Sequence, residues 1–148
     1  MSLSSKFSTP LFIYDDNCSS CTTFARSIKK LSRGWIRIAG HYYSQEAIDV
    51  KKIVFPPDYD STRMSWLINK DGAFGARCGI VKAIKEIIIG NLKYRKNRPT
   101  YNEDDNNKVP IVCNYNKQMS CMSKKNTLMR TINMLKNCDT FRFSHNNR

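Results

Sequence analysis

The chain has 148 residues, a net charge of +13 and a sequence pI near 9.7, with 41% of residues hydrophobic and 11% aromatic. That apolar content excludes a wholly disordered chain and suffices for one domain plus an appendage. The positive excess favours anionic partners: nucleic acid, acidic lipid headgroups or acidic proteins.

Pro10 leads into Leu11-Phe12-Ile13-Tyr14, a short apolar run that reads as a buried strand. Asp15-Asp16-Asn17 break the run, as turn and helix-start residues do. After Cys21, the residues Phe24, Ile28, Leu31 and Trp35 recur at helical spacing, with Arg26, Lys29, Lys30 and Arg33 opposite. The spacing predicts an amphipathic helix ending near Gly34. Trp35 to Tyr43 reads as a second strand, rich in β-branched and aromatic residues. Ser44 caps a short helix through Ala47 and Ile48, stopped by Pro56-Pro57. Met64 to Ile68 is a third strand, and Asn69-Lys70-Asp71-Gly72 turns it back into a fourth through Ala73-Phe74-Gly75. A last helix follows, with Ile80, Val81, Ile84, Ile87 and Ile88 as its core-facing stripe and Gly90 as its stop.

Beyond residue 90 the character changes. Residues 1–90 carry 13 basic against 8 acidic side chains, residues 91–148 carry 12 against 4, so the shorter part is the more basic. Tyr94 to Lys108 reads as a flexible linker, Met119 to Leu135 as an imperfect helix, and Phe141 to Arg148 as a frayed end. The expected domain is residues 8–92, and residues 93–148 are a basic extension. Within it, Tyr94-Arg95-Lys96-Asn97-Arg98 and Phe141-Arg142-Phe143 mix cations with aromatics, a pattern that can track a nucleic-acid backbone or simply form a solvated surface. No run approaches the roughly 20 apolar residues of a membrane span, and the N-terminus lacks the apolar stretch of a secretory signal. A cytoplasmic protein is expected.

Cys18-Ser19-Ser20-Cys21 lies between a predicted strand and a predicted helix. Two intervening residues bring both sulfurs into the first helical turn, where unpaired N–H groups and the positive end of the helix dipole gather. Such a site lowers a thiol pKa below the free value of about 8.5. Cys18 is then the nucleophile toward a substrate disulfide, and Cys21, buried one turn along, is the resolving cysteine. Asp15 has two readings: a proton acceptor for Cys21 through water, or a turn residue that satisfies backbone donors.

Tyr14-Asp15-Asp16-Asn17-Cys18-Ser19-Ser20-Cys21 resembles the Asp-x-x-Cys-x-x-Cys signature of the DCC family of thiol-disulfide oxidoreductases. Ser65 to Gly72, followed by the helix from Gly79, is similar to that family's later strand-turn-helix block. The resemblance covers about residues 10–90. It implies an α/β, thioredoxin-like fold with a mixed four-stranded sheet flanked by helices. It also implies protein-disulfide reductase activity, and it maps the signature onto Asp15, Cys18 and Cys21.

The expected reaction is dithiol-disulfide exchange on a protein or small-molecule disulfide, with no metal or organic cofactor. A separate dithiol reductant recycles the pair. The rival reading is a binding module without turnover. It would hold zinc through Cys18, Cys21 and two of Cys78, Cys113, Cys121, Cys138, His41 and His145, or hold nucleic acid through the tail. Cys78 reads as a small core residue, while Cys113, Cys121 and Cys138 read as exposed free thiols. His41 reads as a structural or surface histidine within a strand.

Overall fold

The computed structural model describes residues 7–93, 129, 132 and 135–143. In chain order the elements are β1 (Leu11–Tyr14), α1 (Ser19–Leu31), β2 (Arg37–Gly40), α2 (Gln45–Val54), a 3-10 turn (Ser61–Arg63), β3 (Trp66–Asn69), β4 (Gly72–Gly75), α3 (Ala76–Lys93) and β5 (Thr140–Arg142). They form an α/β fold around a mixed sheet of order β2-β1-β3-β4-β5. β1 and β2 run parallel, with Leu11 opposite Arg37 and Tyr14 opposite Gly40. Every other neighbouring pair is antiparallel.

β1 is central and buried on both faces, which is why its sequence is unbroken apolar rather than alternating. Leu11 and Ile13 join Trp66, Phe55, Ala47 and Val50 in the core under α2. Phe12 and Tyr14 join Leu67, Ala25, Ile28 and Ala83 in the core under α1 and α3. The helices therefore cover both faces, as the sequence predicts.

Several expectations are corrected. The sheet has five strands, not four. Thr140–Arg142, expected to fray, pairs with β4 through Gly72–Arg142, Ala73–Phe141 and Phe74–Thr140. Phe141 is packed by Phe55, Tyr59 and Trp66, with ring centroids 5.0–5.8 Å away. Phe143 likewise stacks on Phe7. Cys138 is not a free thiol and Cys78 is not a lone core residue: the two form a disulfide with their Cα atoms 5.2 Å apart.

β2 stops at Gly40, because the Asp16 carboxylate captures the Tyr42 and Tyr43 N–H groups at 3.1 and 3.0 Å and turns the chain off the sheet. α3 continues past Gly90 to Lys93. That glycine is a packing residue, since a Cβ there would lie 2.9 Å from Trp35 Cδ1. Only part of the predicted stripe on α3 faces inward: Ile87 packs on the core beside Ala83, while Val81, Ile84 and Ile88 are 61%, 54% and 55% exposed. On α1 the inward residues are Thr22, Ala25 and Ile28, while Phe24 and Leu31 face outward. Of the tail elements, Met129, Ile132, Leu135 and Lys136 are helical; the rest of the predicted 119–135 helix and the linker at 94–108 lie outside the described residues.

Candidate active site

The turn after β1 fixes the Cys pair. Asn17 N–H donates to Asp15 Oδ1 at 3.0 Å, and Cys18 N–H donates to the Asp15 carbonyl at 3.2 Å. Asp15 therefore performs the turn role, satisfying donors before the helix begins. Its neighbour Asp16 ties the same turn to the segment after β2. Gly40 permits this approach, because a Cβ there would lie 2.1 Å from Asp16 Oδ2.

Cys18 is the N-cap of α1, with extended backbone at φ −112° and ψ 112°. Its Sγ accepts the Cys21 N–H at 3.3 Å, the position that a serine or aspartate oxygen takes in an ordinary cap. The Thr22 hydroxyl adds a bond to the Cys18 carbonyl at 3.1 Å. Neither cysteine is in a disulfide. Their burial is the reverse of the expected order: Cys18 is 8% exposed and Cys21 is half-buried. The reason is the cap itself, which folds the Cys18 side chain back over the first turn.

Cys18, Cys21 and Asp15 all border one cavity of about 290 Å³. The sequence expectations thus bring these three residues together. They miss the rest of the wall, which includes Phe24, Met64, Ile80 and Leu135. Phe24 had a signal, lying three residues after Cys21 on the helix. Met64 lies in the extended segment before β3, where its carbonyl accepts His41 Nε2–H at 2.9 Å. Leu135 comes from the extension and has no local signal at all.

His41 is structural rather than a surface histidine, and almost wholly buried. Burial pushes its imidazole below the usual range, the positive charge of Lys51 adds to that, and the Met64 carbonyl, Asp15 and Asp16 oppose it. Burial, reinforced by the Asp16 charge, holds the Tyr14 phenol above its usual range, so it lines the cavity as a neutral hydroxyl.

Among the described residues, no group of three or more His, Cys, Asp or Glu is arranged to hold a metal ion, and Cys78 and Cys138 are committed to each other. Cys113, Cys121, His145 and Tyr94–Arg98 lie outside the described residues. No described helix is long and apolar enough to cross a membrane. No family model, curated protein or solved structure matches the chain.

Proposed function

We propose that the protein is a thiol-disulfide oxidoreductase of the protein-disulfide reductase type. Cys18 is its nucleophile and Cys21 its resolving cysteine. The observation that carries the reading is a reduced dithiol in the first turn of a helix that follows a central strand, with both residues bordering an open cavity. The order β2-β1-β3-β4, with one parallel pair beside antiparallel ones, supports a thioredoxin-like arrangement to which β5 is added. The DCC-like signature at Asp15, Cys18 and Cys21 supports it independently.

In the proposed cycle, the Cys18 thiolate attacks one sulfur of a substrate disulfide. The substrate S–S bond breaks, and the departing sulfur leaves as a thiolate that takes a proton from water. The Cys21 N–H already held on Cys18 Sγ, together with the positive end of the 13-residue helix, stabilises negative charge at that sulfur. Cys21 loses its proton and attacks Cys18 Sγ, which releases the second substrate thiol. Two electrons have then moved from the Cys18–Cys21 dithiol to the substrate. A dithiol reductant returns them by the same exchange in reverse. Asp15, at the edge of the cavity, is the acceptor for the Cys21 proton through water, beside its role in the turn. A cytoplasmic setting, where reductants keep dithiols reduced, would supply the electrons for this cycle.

The test is dithiol-driven reduction of insulin, followed by turbidity over the uncatalysed background. Wild type accelerates the reaction and Cys18→Ser does not. Equal rates for the two proteins would remove Cys18 from the mechanism.

A further inference from the structure

Residues 137–139 of the extension are pinned to the start of α3. Arg77 N–H donates to the Asn137 carbonyl at 3.1 Å, and Gly75 N–H donates to the Asp139 carbonyl at 2.8 Å. Between them, Cys138 is bonded to Cys78. The Asp139 carboxylate accepts the Tyr59 hydroxyl and, at 3.2 Å, the Arg63 guanidinium. Leu135 lies two residues upstream of this clamp. It borders the cavity that holds Cys18 and Cys21, yet remains 50% exposed. Phe24 from α1, Met64 before β3 and Ile80 from α3 give that wall further apolar surface, while Tyr14, Asp15 and Arg63 border the same cavity.

We infer that this cleft is a specificity subsite for an apolar side chain next to the reacting disulfide, and that the Cys78–Cys138 bond supplies its outer wall by holding Leu135 in place. The inference rests on the redox reading above and names the substrate class of that site. The volume of about 290 Å³ suits one or two aliphatic or aromatic side chains. Such a side chain gains by leaving water against Phe24, Met64, Ile80 and Leu135. Against those four side chains a polar flanking residue loses its water without gaining a hydrogen bond. The pairing of β5 with β4 and the ring contacts of Phe141 do not involve the bridge, so its reduction is expected to act on Leu135 more than on the sheet. Reduction by a dithiol converts the one Cys78–Cys138 bond into two thiols and the reductant into a disulfide. The subsite is thereby linked to redox state.

The experiment compares three substrates of the full chain, at a dithiol concentration at which mass spectrometry finds the Cys78–Cys138 bond still closed. Two are uncharged cystine peptides, one flanked by leucines and one by asparagines. The third is bis(2-hydroxyethyl) disulfide, which has no flanking side chain. Wild type should favour the leucine peptide in kcat/KM by roughly tenfold, the effect of removing part of one large apolar side chain from water. Leu135→Asn and the pair Cys78→Ser with Cys138→Ser should each bring that ratio toward one, with the loss falling on the leucine peptide. Leu135 is half-exposed, so its substitution leaves the core intact. An equal ratio in wild type, or a tenfold ratio retained in Leu135→Asn, overturns the subsite. Failure of the redox reading looks different: turnover of bis(2-hydroxyethyl) disulfide would be absent, or unchanged in Cys18→Ser.

Discussion

Replacing Cys78 and Cys138 together by serine removes a covalent link across a sequence separation of 60. Its effect can be sized from the loop it closes. The chain-entropy relation assigns a loop of that length a restraint on the unfolded state of ~4 kcal/mol at 25 °C. That is a large share of the roughly 5–15 kcal/mol that holds a typical domain together. The folded state has less at stake, because β5 retains its pairing with β4, the Tyr59–Asp139 bond and the burial of Phe141. Both positions lie partly in solvent, so serine brings no buried orphan hydroxyl. The assay is equilibrium unfolding in urea, followed by fluorescence of the buried Trp66, for oxidised wild type and the double variant. With a slope of about 2 kcal/mol per molar, the expected fall in midpoint is about 2 M. Reducing the wild type should reproduce the variant. A midpoint shift under about 0.3 M would refute the reasoning, because the extension would then be held without help from the bridge.

Other outcomes follow from single positions. Gly90→Ala should destabilise by about 1–3 kcal/mol. The crowding of a new Cβ against Trp35 Cδ1 at 2.9 Å and Trp35 Cβ at 3.0 Å outweighs the ~1 kcal/mol gain in helix propensity, and thermal unfolding reads the sign. Gly40→Ala should cost about 1–3 kcal/mol by expelling the Asp16 carboxylate from the Tyr42 and Tyr43 N–H groups, and Asp16→Ala should make most of that loss non-additive in a double-mutant cycle. His41 has a lowered folded-state pKa because burial disfavours its charge, so the unfolded chain binds the proton first. Stability is therefore unaffected by this group well above about pH 6.5 and falls as pH drops through that value, until the folded pKa is also passed. Melting temperatures between about pH 7.5 and 5.5 should drop less in His41→Asn than in wild type. Asp15→Asn should slow release of the second substrate thiol and move its pH profile, while leaving the first attack by Cys18 unchanged. Equal slowing of both steps would reduce Asp15 to its role in the turn.

Local patterns made β1, α1 and the β3–β4 hairpin legible. The run Leu11–Tyr14 is unbroken because both faces of β1 are covered, and Asn69–Gly72 carries its own turn chemistry. The cysteine spacing put Cys18 and Cys21 at the helix N-terminus for the same reason, since a turn followed by a helix start is a local event. Failures came where distant residues decide. Tyr42 and Tyr43 have strand propensity, yet a carboxylate from the preceding loop takes their N–H groups. Gly90 looks like a stop until Trp35 is seen against it. The apolar stripe on α3 has the right period, but of it Ile87 packs on the core beside Ala83, and Val81, Ile84 and Ile88 are exposed. Burial of Cys18 rather than Cys21 depends on how a sulfur caps a helix, which spacing does not encode. The pairing of Cys78 with Cys138 and the placement of Leu135 in the cavity wall bridge some 60 residues, and nothing in composition marks them.

Trapping the covalent intermediate bears most directly on the central proposal. In Cys21→Ser, a substrate disulfide should leave half of itself attached to Cys18, visible as one mass adduct that a dithiol removes. Peptide mapping that found no adduct at Cys18, or found it only on Cys113 or Cys121, would contradict the assignment.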